Sequence, residues 1–153
     1  MQVTIRPARE ADYARIEAIW QQVHALYVAL RPDAYAPRTP ILPPERFQEH
    51  LASGTIHVAE QSGYVSGILV FCEKHVHSVS KGTRRILFID VMAVDESCRR
   101  QGIGQQMLSH IRQYASNNGF DGVELQVAAR NTAARAMYES FGFREKSVNM
   151  ELL

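Results

Sequence analysis

Residues 98–107, CRRQGIGQQM, place two arginines and two glycines directly before a run of helix-forming residues. Gly102 and Gly104 have no β-carbon, so they leave the backbone N–H groups around them accessible. Arg99 and Arg100 add positive charge, and a helix that begins here directs the positive end of its dipole toward the same place. The stretch is therefore typical of a site that holds a phosphate group.

The loop differs from two common nucleotide-binding motifs. A P-loop ends in Gly-Lys-Ser/Thr, whereas Gly104 is followed by Gln105 and Gln106. A dinucleotide-binding fingerprint needs a third glycine, and Met107 occupies that position. A Gly-x-Gly pair alone is also compatible with an ordinary turn between a strand and a helix. Only the surrounding elements can distinguish a phosphate site from such a turn.

Hydrophobic periodicity predicts a mixed α/β protein, and 153 residues, 46% of them hydrophobic, suffice for a single domain over residues 1–153. The predicted strands are Val3–Arg6, Thr55–Glu60, Tyr64–Glu73, Arg85–Val94 and Val123–Val127, and the tail Phe143–Leu152 alternates enough for one or two more. The predicted helices are Asp12–Leu30, Glu45–Ala52, Gly102–Ser116 and Asn131–Ser140. Loops are expected at residues 31–44, which are rich in proline, and at residues 74–84, which are polar and basic.

Composition narrows the class of protein. The net charge of +1 gives no global field for nucleic acid or an anionic membrane, so neither is an expected partner and the phosphate site must be local. Cys72 and Cys98 are too few for a disulfide framework and are expected to be free thiols. We find no signal-peptide pattern and no apolar run long enough for a membrane span, so we expect a cytoplasmic protein.

Two motifs together resemble the signatures of the GCN5-related N-acetyltransferase (GNAT) superfamily. Arg99, Gly102 and Gly104 match its Arg/Gln-x-x-Gly-x-Gly/Ala pattern, and ARNTAARAMYESFGF, residues 129–143, is similar to its second signature. The resemblance implies an α/β (α+β) fold with a mixed, mostly antiparallel sheet of six to seven strands flanked by about four helices. It also implies transfer of an acetyl group from acetyl-coenzyme A to an amine, without a metal.

The resemblance assigns the phosphate to the diphosphate of acetyl-coenzyme A. Backbone amides from Arg99 to Gln105 would bind it, and the main chain of the preceding strand would bind the pantetheine arm and the acetyl carbonyl. The coenzyme-binding residues implied in this way are Met92, Ala93, Val94, Arg99, Arg100, Gln101, Gly102, Ile103, Gly104, Gln105, Asn131 and Tyr138.

Two residues of the second signature lie seven positions apart and so share a helix face. Asn131 either binds the coenzyme arm or only caps its helix, and the two roles are compatible. Tyr138 is an aromatic residue of the kind found in cores, but the resemblance implies that it protonates the thiolate of the leaving coenzyme.

Asp90 is the only polar residue between Ile86 and Val94, and some members of the superfamily have an acidic residue at this point. It is our candidate for the base that removes a proton from the amine, directly or through water. A carboxylate inside an apolar strand is costly to bury unless it has a partner. The competing interpretation is therefore structural, with Asp90 bonded to Arg84 or a histidine.

The acceptor is poorly determined by the sequence. The resemblance implies an acceptor site near His24, Tyr27 and Tyr35 for a small-molecule or peptide amine, and a homodimer is left open. His75 and His77 have no further ligand at metal-binding spacing, which favours a solvated loop. Two alternatives remain: a regulatory module that binds acyl-coenzyme A without turnover, and a nucleotide-binding protein, which the missing lysine disfavours.

Overall fold

The computed structural model describes residues 2–80 and 82–153. Within these residues, five strands form one sheet in the order β1-β2-β3-β4-β5. They are β1 (Thr4–Pro7), β2 (Ile56–Gln61), β3 (Tyr64–Ser78), β4 (Gly82–Val94) and β5 (Gly122–Leu125). The strands β1 to β4 pair antiparallel, and β5 is parallel to β4.

Four α-helices flank the sheet, each within one residue of its predicted bounds. They are α1 (Tyr13–Leu30), α2 (Pro44–Ser53), α3 (Ile103–Asn117) and α4 (Thr132–Phe141). Short 3-10 turns at Glu10–Asp12 and Glu96–Cys98 precede α1 and α3. The described residues contain no helix that is both long enough and apolar enough to cross a membrane.

Two apolar layers hold the helices to the sheet. On one face, Ile16 and Ile19 of α1 and Phe47 of α2 pack on buried side chains of β2, β3 and β4. On the other face, Leu108 and Ile111 of α3 pack on side chains of β3 and β4, namely Leu69, Phe71, Leu87 and Ile89. The apolar character of both faces of β4 is thereby explained, since helices cover the strand from both sides.

The predicted count of six to seven strands was too high. Residues 143–153 form no strand, although Val148, Met150 and Leu152 alternate as a strand requires. These three side chains are 67%, 93% and 100% exposed. The alternating apolar residues therefore bury no surface that would stabilise a strand. The charged residues before them instead make ion pairs with side chains of α4 and β5, Glu145 with Arg135 and Lys146 with Glu124.

The prediction of a hairpin loop over residues 74–84 was wrong in most of its length. β3 continues to Ser78 and β4 begins at Gly82, and the two strands pair up to that point. Hydrophobic periodicity did not predict these parts of the two strands, because they are polar. They project beyond the helices and therefore need no apolar face. His75 and His77 lie on this projection, where they bond Glu73 and Thr83 at 2.8 and 3.1 Å.

The sheet opens between β4 and β5. Their parallel ladder pairs Ile86–Ile89 with Gly122–Leu125 and ends there, two residues short of the predicted end of β5 at Val127. β4 continues for five more residues, to Val94. No described strand pairs with this end of β4 on the β5 side, so its backbone is available to a ligand.

Candidate active site

The loop before α3 leaves the first turn of that helix without a side-chain cap. Gly102 precedes the helix with a φ of 78°, and Arg100 also lies in the left-handed region, with a φ of 65°. A β-carbon added to Gly102 would meet no atom within 4 Å, so the space before it is open. The first N–H groups of α3, which have no partner within the helix, are therefore accessible to an anion.

Gly104 has a different environment from Gly102. It is buried, and a β-carbon there would lie 2.8 Å from the sulfur of Met137 in α4. This glycine thus lets α3 and α4 approach closely, a packing role that the sequence did not indicate. Because the methionine side chain is flexible, a small substituent at Gly104 can displace it at limited cost.

Asp95, directly after β4, ties this loop to α1. Its buried carboxylate accepts hydrogen bonds from the side chains of Arg15 and Gln22 and, at 3.2 Å, from the N–H of Ser97. Burial alone would raise the pKa of Asp95, but these donors hold it well below its usual range. The sequence analysis missed this residue, since the partners that define its role lie in a helix far away in the chain.

The predicted coenzyme-binding residues come together where β4 ends and α3 begins. The backbone of Met92, Ala93 and Val94 forms the open end of β4. Arg99 and Arg100 are exposed beside it, and the Nε of Arg99 lies 3.4 Å from the carbonyl oxygen of Val94. Of the rest, Gln101 is exposed, Ile103 is a core residue of α3, and Gln105 lies on the outer side of its first turn.

Tyr138 lies on α4, the helix that follows β5, and Asn131 directly precedes that helix. The Asn131 side chain caps α4 by accepting a 3.3 Å hydrogen bond from the N–H of Ala134, which confirms the capping role. The Tyr138 ring packs edge-on against Phe143, with 5.7 Å between centroids. None of the described residues forms a hydrogen bond with the Tyr138 hydroxyl. Burial, and to a lesser degree the nearby Tyr27, raises the pKa of Tyr138 to about 12.

Asp90 is exposed, so the expectation that it is buried in the strand was wrong. The register gives the reason: Phe71 pairs with Ile89 and Val70 pairs with Val91, which leaves Asp90 as the extra residue of a β-bulge. A bulge redirects the side chain at that position, and bulges are frequent next to active sites.

Of the two structural partners suggested for Asp90, Arg84 was wrong, because it faces Glu124 at 4.0 Å. The thiol of Cys72 lies near the Asp90 carboxylate instead. Burial of this thiol, followed by the effect of the Asp90 carboxylate, raises the pKa of Cys72. Cys72 therefore stays a neutral thiol at pH 7.

His50 of α2 is a further residue that the sequence analysis missed. It bonds the Thr55 hydroxyl through Nδ1 at 2.7 Å. Burial and then Arg46 lower the pKa of His50, and the Asp90 carboxylate acts in the opposite direction. His50 thus lies between the charges of Arg46 and Asp90 and is neutral at pH 7. Because His50 lies in a polar helix, the sequence does not indicate that it is near Asp90.

The three residues predicted for the acceptor side do lie together. Tyr27 and Tyr35 stack with 5.4 Å between ring centroids, and His24 meets the edge of Tyr35 at 6.2 Å. The Nε2 of His24 lies 2.7 Å from the carbonyl oxygen of Ala36 and so fixes the loop that carries Tyr35. Tyr27 also contributes to the raised pKa of Tyr138, so these two tyrosines are near each other.

A mixed sheet whose central ladder ends beside an uncapped, glycine-led helix is an arrangement that can accommodate a phosphate-bearing substrate. The sequence model of the acetyltransferase (GNAT) family matches residues 20–143. The chain therefore belongs to the GNAT acetyltransferase family.

Relatives with known sequences agree with this assignment. The chain is 27% identical over 143 residues to YhfO, an uncharacterised N-acetyltransferase of Bacillus subtilis (strain 168), which covers 94% of this chain and 91% of that one. Over 57 residues it is 40% identical to the ribosomal protein bS18-alanine N-acetyltransferase of Escherichia coli (strain K12), but this match spans only 37% of this chain and 38% of that enzyme.

Solved structures show the same fold. A tetramutant of the BH1408 protein from Bacillus halodurans superposes with a TM-score of 0.90 at 28% identity, over 98% of this chain and 99% of that one. The aminoglycoside N-acetyltransferase AAC(6')-Iy in complex with coenzyme A gives a TM-score of 0.71 over 99% and 94% of the two chains. At 16% identity, this second likeness concerns the fold alone.

Proposed function

We propose that the protein transfers the acetyl group of acetyl-coenzyme A to a primary amine, by direct attack within a ternary complex. One observation carries the proposal: the unpaired backbone end of β4 leads directly into the loop before an uncapped, glycine-led helix N-terminus. The half-buried Tyr138 of α4, which keeps its proton at pH 7, is the acid that the reaction would need. The family to which the chain belongs, and the N-acetyltransferases among its relatives, support the same activity.

The residues fit the diphosphate of acetyl-coenzyme A. The N–H groups around Gly102 and the first turn of α3 would bind its oxygens, and the exposed Arg99 and Arg100 would neutralise part of its charge. The pantetheine arm is long and carries amide groups, so it can pair with the open end of β4 in the manner of an added strand. The main chain of Met92, Ala93 and Val94 would make these hydrogen bonds.

In the reaction, the nitrogen of the neutral amine forms a bond to the thioester carbon, and the bond from that carbon to sulfur then breaks. The nitrogen loses one proton to water as the amide forms, and Tyr138 recovers the proton that it gives to sulfur from water. A backbone N–H at the end of β4 would stabilise the oxyanion. The thiolate takes the proton of the Tyr138 hydroxyl, which is fully protonated at pH 7 because its pKa is about 12. Burial also raises the pKa of a thiolate that forms beside it, so the proton transfer remains feasible.

The amine must lose a proton before it attacks. A lysine amine titrates near ~10.4 and an α-amine near ~7.7–8.0, so both arrive mostly charged at pH 7. We propose that this proton leaves through water to Asp90, whose exposed carboxylate at the bulge is in contact with solvent. The neutral ring of His50 is a second acceptor close to it.

Two kinds of acceptor are named among the similar proteins, an alanine of ribosomal protein bS18 and aminoglycosides. Both are amines, which supports an amine acceptor here, whether a small molecule or a peptide. His24, Tyr27 and Tyr35 would form part of its binding surface, because they lie together and Tyr27 lies near Tyr138.

A pair of variants at Gly102 tests the coenzyme site. Asparagine and aspartate both tolerate a left-handed φ, so Gly102→Asn adds only bulk to the open space, whereas Gly102→Asp adds bulk and a negative charge. In calorimetric titrations with acetyl-coenzyme A, we expect Gly102→Asp to bind far more weakly than Gly102→Asn, and both to bind more weakly than the wild type. Equal affinity in all three proteins would contradict a diphosphate at this loop.

Release of the coenzyme A thiol across a panel of amines tests turnover separately. We expect amine-dependent release by the wild type. Binding of acetyl-coenzyme A without release on any amine would instead indicate a regulatory module.

A further inference from the structure

A cleft of about 360 Å³ lies between α1, the loop that follows it and the start of α2. Trp20 forms part of its wall, Arg38 and Arg46 bring two guanidinium groups to it, and His50 lies on its α2 side. Residues 41–43 complete the lining. We call this feature the arginine cleft.

The two arginines of the cleft are largely unmatched by negative charge. No described carboxylate lies within 4 Å of the Arg38 guanidinium. Arg46 is 3.7 Å from Glu49, but both side chains are mostly exposed, at 65% and 69%, so this ion pair is weak. An anion in the cleft would therefore meet two guanidinium groups that have no strong competing partner.

Glu17, which bonds the loop that lines the cleft, already has donors. The oxygens of Glu17 accept hydrogen bonds from the N–H groups of Ile41 and Leu42, at 3.1 and 2.8 Å, and one from Gln21 at 2.9 Å. Glu17 thereby fixes the loop against α1 and gives the cleft a defined wall. Its charge is directed at the backbone of that loop rather than at the arginines.

Electrostatic influences connect the arginine cleft to Asp90 and to Tyr138, the two residues proposed for proton transfer. His50 experiences the charges of both Arg46 in the cleft and Asp90 at the bulge. Trp20 and Tyr27 are seven residues apart on α1, and this spacing corresponds to about 10 Å along one helix face. Tyr27 in turn lies close to Tyr138. A small acceptor can therefore reach from the cleft to the reacting atoms.

We infer that the arginine cleft binds an anionic oxygen group of the acceptor, a carboxylate or a phosphoryl group, while the amine at the other end of the molecule is acetylated. The inference rests on the proposed function and names its substrate class: an amine that carries a negative charge some distance from the nitrogen. Arginine suits such a group because its guanidinium can donate two parallel hydrogen bonds.

Matched pairs of amines test this preference. Hexylamine and 6-aminohexanoate differ by a terminal carboxylate, and ethanolamine and phosphoethanolamine differ by a phosphoryl group. We expect kcat/KM of the wild type to favour the anionic member of at least one pair by about tenfold or more, since hydrogen bonds to charged groups have effects of this size. Which pair shows the preference identifies the anion.

Variants locate the effect in the cleft. Arg38→Gln and Arg46→Gln should each reduce the preference for the anionic amine. Arg38→Gln should also leave kcat/KM for the neutral-ended amine unchanged, because Arg38 is not among the groups that shift the pKa of His50. Arg112→Gln removes the same charge from α3, on the opposite face of the sheet, and should change neither value. A wild-type enzyme with no preference in either pair, or a preference that survives the double cleft variant, would overturn the inference and leave the acetyltransferase activity standing.

A binding measurement separates the inference from catalysis. The product 6-acetamidohexanoate needs no turnover to bind, and N-hexylacetamide is its uncharged counterpart. Should no amine support thiol release, calorimetric titration of these two compounds still tests the cleft. Tighter binding of 6-acetamidohexanoate to the wild type than to the Arg38→Gln, Arg46→Gln double variant supports the inference, and equal binding overturns it.

Discussion

The chain up to Ala115 and the chain after it are packed in different ways. All the fully buried side chains of the described residues lie at or before Ala115. After it, β5 is only half-buried along its whole length, and α4 contains no buried residue. Apolar residues are present in this second part, Leu125 and Phe141 among them, but they cover the edge of the core rather than fill it.

This difference separates a scaffold from a surface that a substrate completes. The scaffold, with β1 to β4 and α1 to α3, is held together by apolar burial and positions the loop before α3. The part after Ala115 includes β5, which borders the opening in the sheet, and carries Asn131 and Tyr138. If acetyl-coenzyme A occupies this opening, β5 and α4 are only half-buried because the substrate completes their packing when it binds. Six variants, one of them a control, and one exchange experiment test this interpretation.

The largest effect is expected at Tyr138. Tyr138→Phe keeps the ring and removes only the hydroxyl, so acetyl-coenzyme A should bind almost normally while turnover falls by about 10²–10⁴, the scale of a general acid. Rapid-quench measurement of acetyl transfer gives the chemical step directly. Turnover within a few-fold of the wild type would make Tyr138 a packing residue and leave protonation to water.

Two leucine variants compare how much each part of the chain contributes to the free energy of unfolding. Leu87 is fully buried in the scaffold, so Leu87→Ala should lower the free energy of unfolding by about 2–5 kcal/mol. Leu125→Ala in β5 makes the same change at a half-buried site and should cost clearly less. Urea denaturation without ligand measures both, and equal losses would show that the second part is packed as firmly as the first.

The scaffold should also give the protein its sensitivity to acid. His57 is buried and lies 2.8 Å from His110, from its Nδ1 to the Nε2 of its neighbour. Burial, and secondarily His110, lowers the pKa of His57 to about 4. An unfolded histidine titrates near ~6.5, so the unfolded chain binds the proton first as the pH falls. Stability is then full above pH 6.5 and decreases toward pH 4, by up to about 3 kcal/mol.

Replacement of His57 by a residue that cannot titrate removes this effect. We expect His57→Phe to flatten the decline in the free energy of unfolding between pH 6.5 and pH 4. His77→Phe, on the exposed hairpin, serves as the control and should leave the decline unchanged. A slope in His57→Phe that equals the wild-type slope would place the acid sensitivity elsewhere.

The smallest effect is expected at Asp90, because its exposed position allows water to replace it. Asp90→Asn should melt close to the wild type, bind acetyl-coenzyme A normally and lose about tenfold in kcat/KM at neutral pH, less than is typical of a general base. Its residual activity should rise with pH as more amine arrives neutral. A pH–rate profile with the wild-type shape would remove Asp90 from the proton path.

The sequence was sufficient for features that depend on neighbouring residues. The bounds of the four helices follow from local periodicity and from capping residues such as Asn131. Pro44 was assigned to the preceding loop, but it occupies the first position of α2, where its missing N–H costs nothing. The resemblance of residues 98–107 to a family motif likewise depends on a short stretch. The same reasoning predicted one or two strands too many in the tail. The alternation of Val148, Met150 and Leu152 predicts a strand, but it does not show whether a partner strand exists.

Features that depend on pairing between distant residues were not predictable. The exposure of Asp90 follows from a bulge, and a bulge is defined only by the register of β4 on β3. The role of Asp95 requires Arg15 and Gln22, which reach it from α1. His50 lies near Asp90 only because α2 packs against that end of the sheet. Each of these is a long-range contact without a local signal.

Hydrogen–deuterium exchange with and without acetyl-coenzyme A tests the central claim most directly. If the substrate fills the opening between β4 and β5, amides of the first turn of α3, of β5 and of α4 should exchange more slowly at saturating acetyl-coenzyme A. Amides of β2 and of the buried part of β3 should change little, since the scaffold is already packed. Unchanged exchange in residues 102–106 and 122–141 at saturation would contradict both the proposed site and the explanation of why this part of the chain is left open.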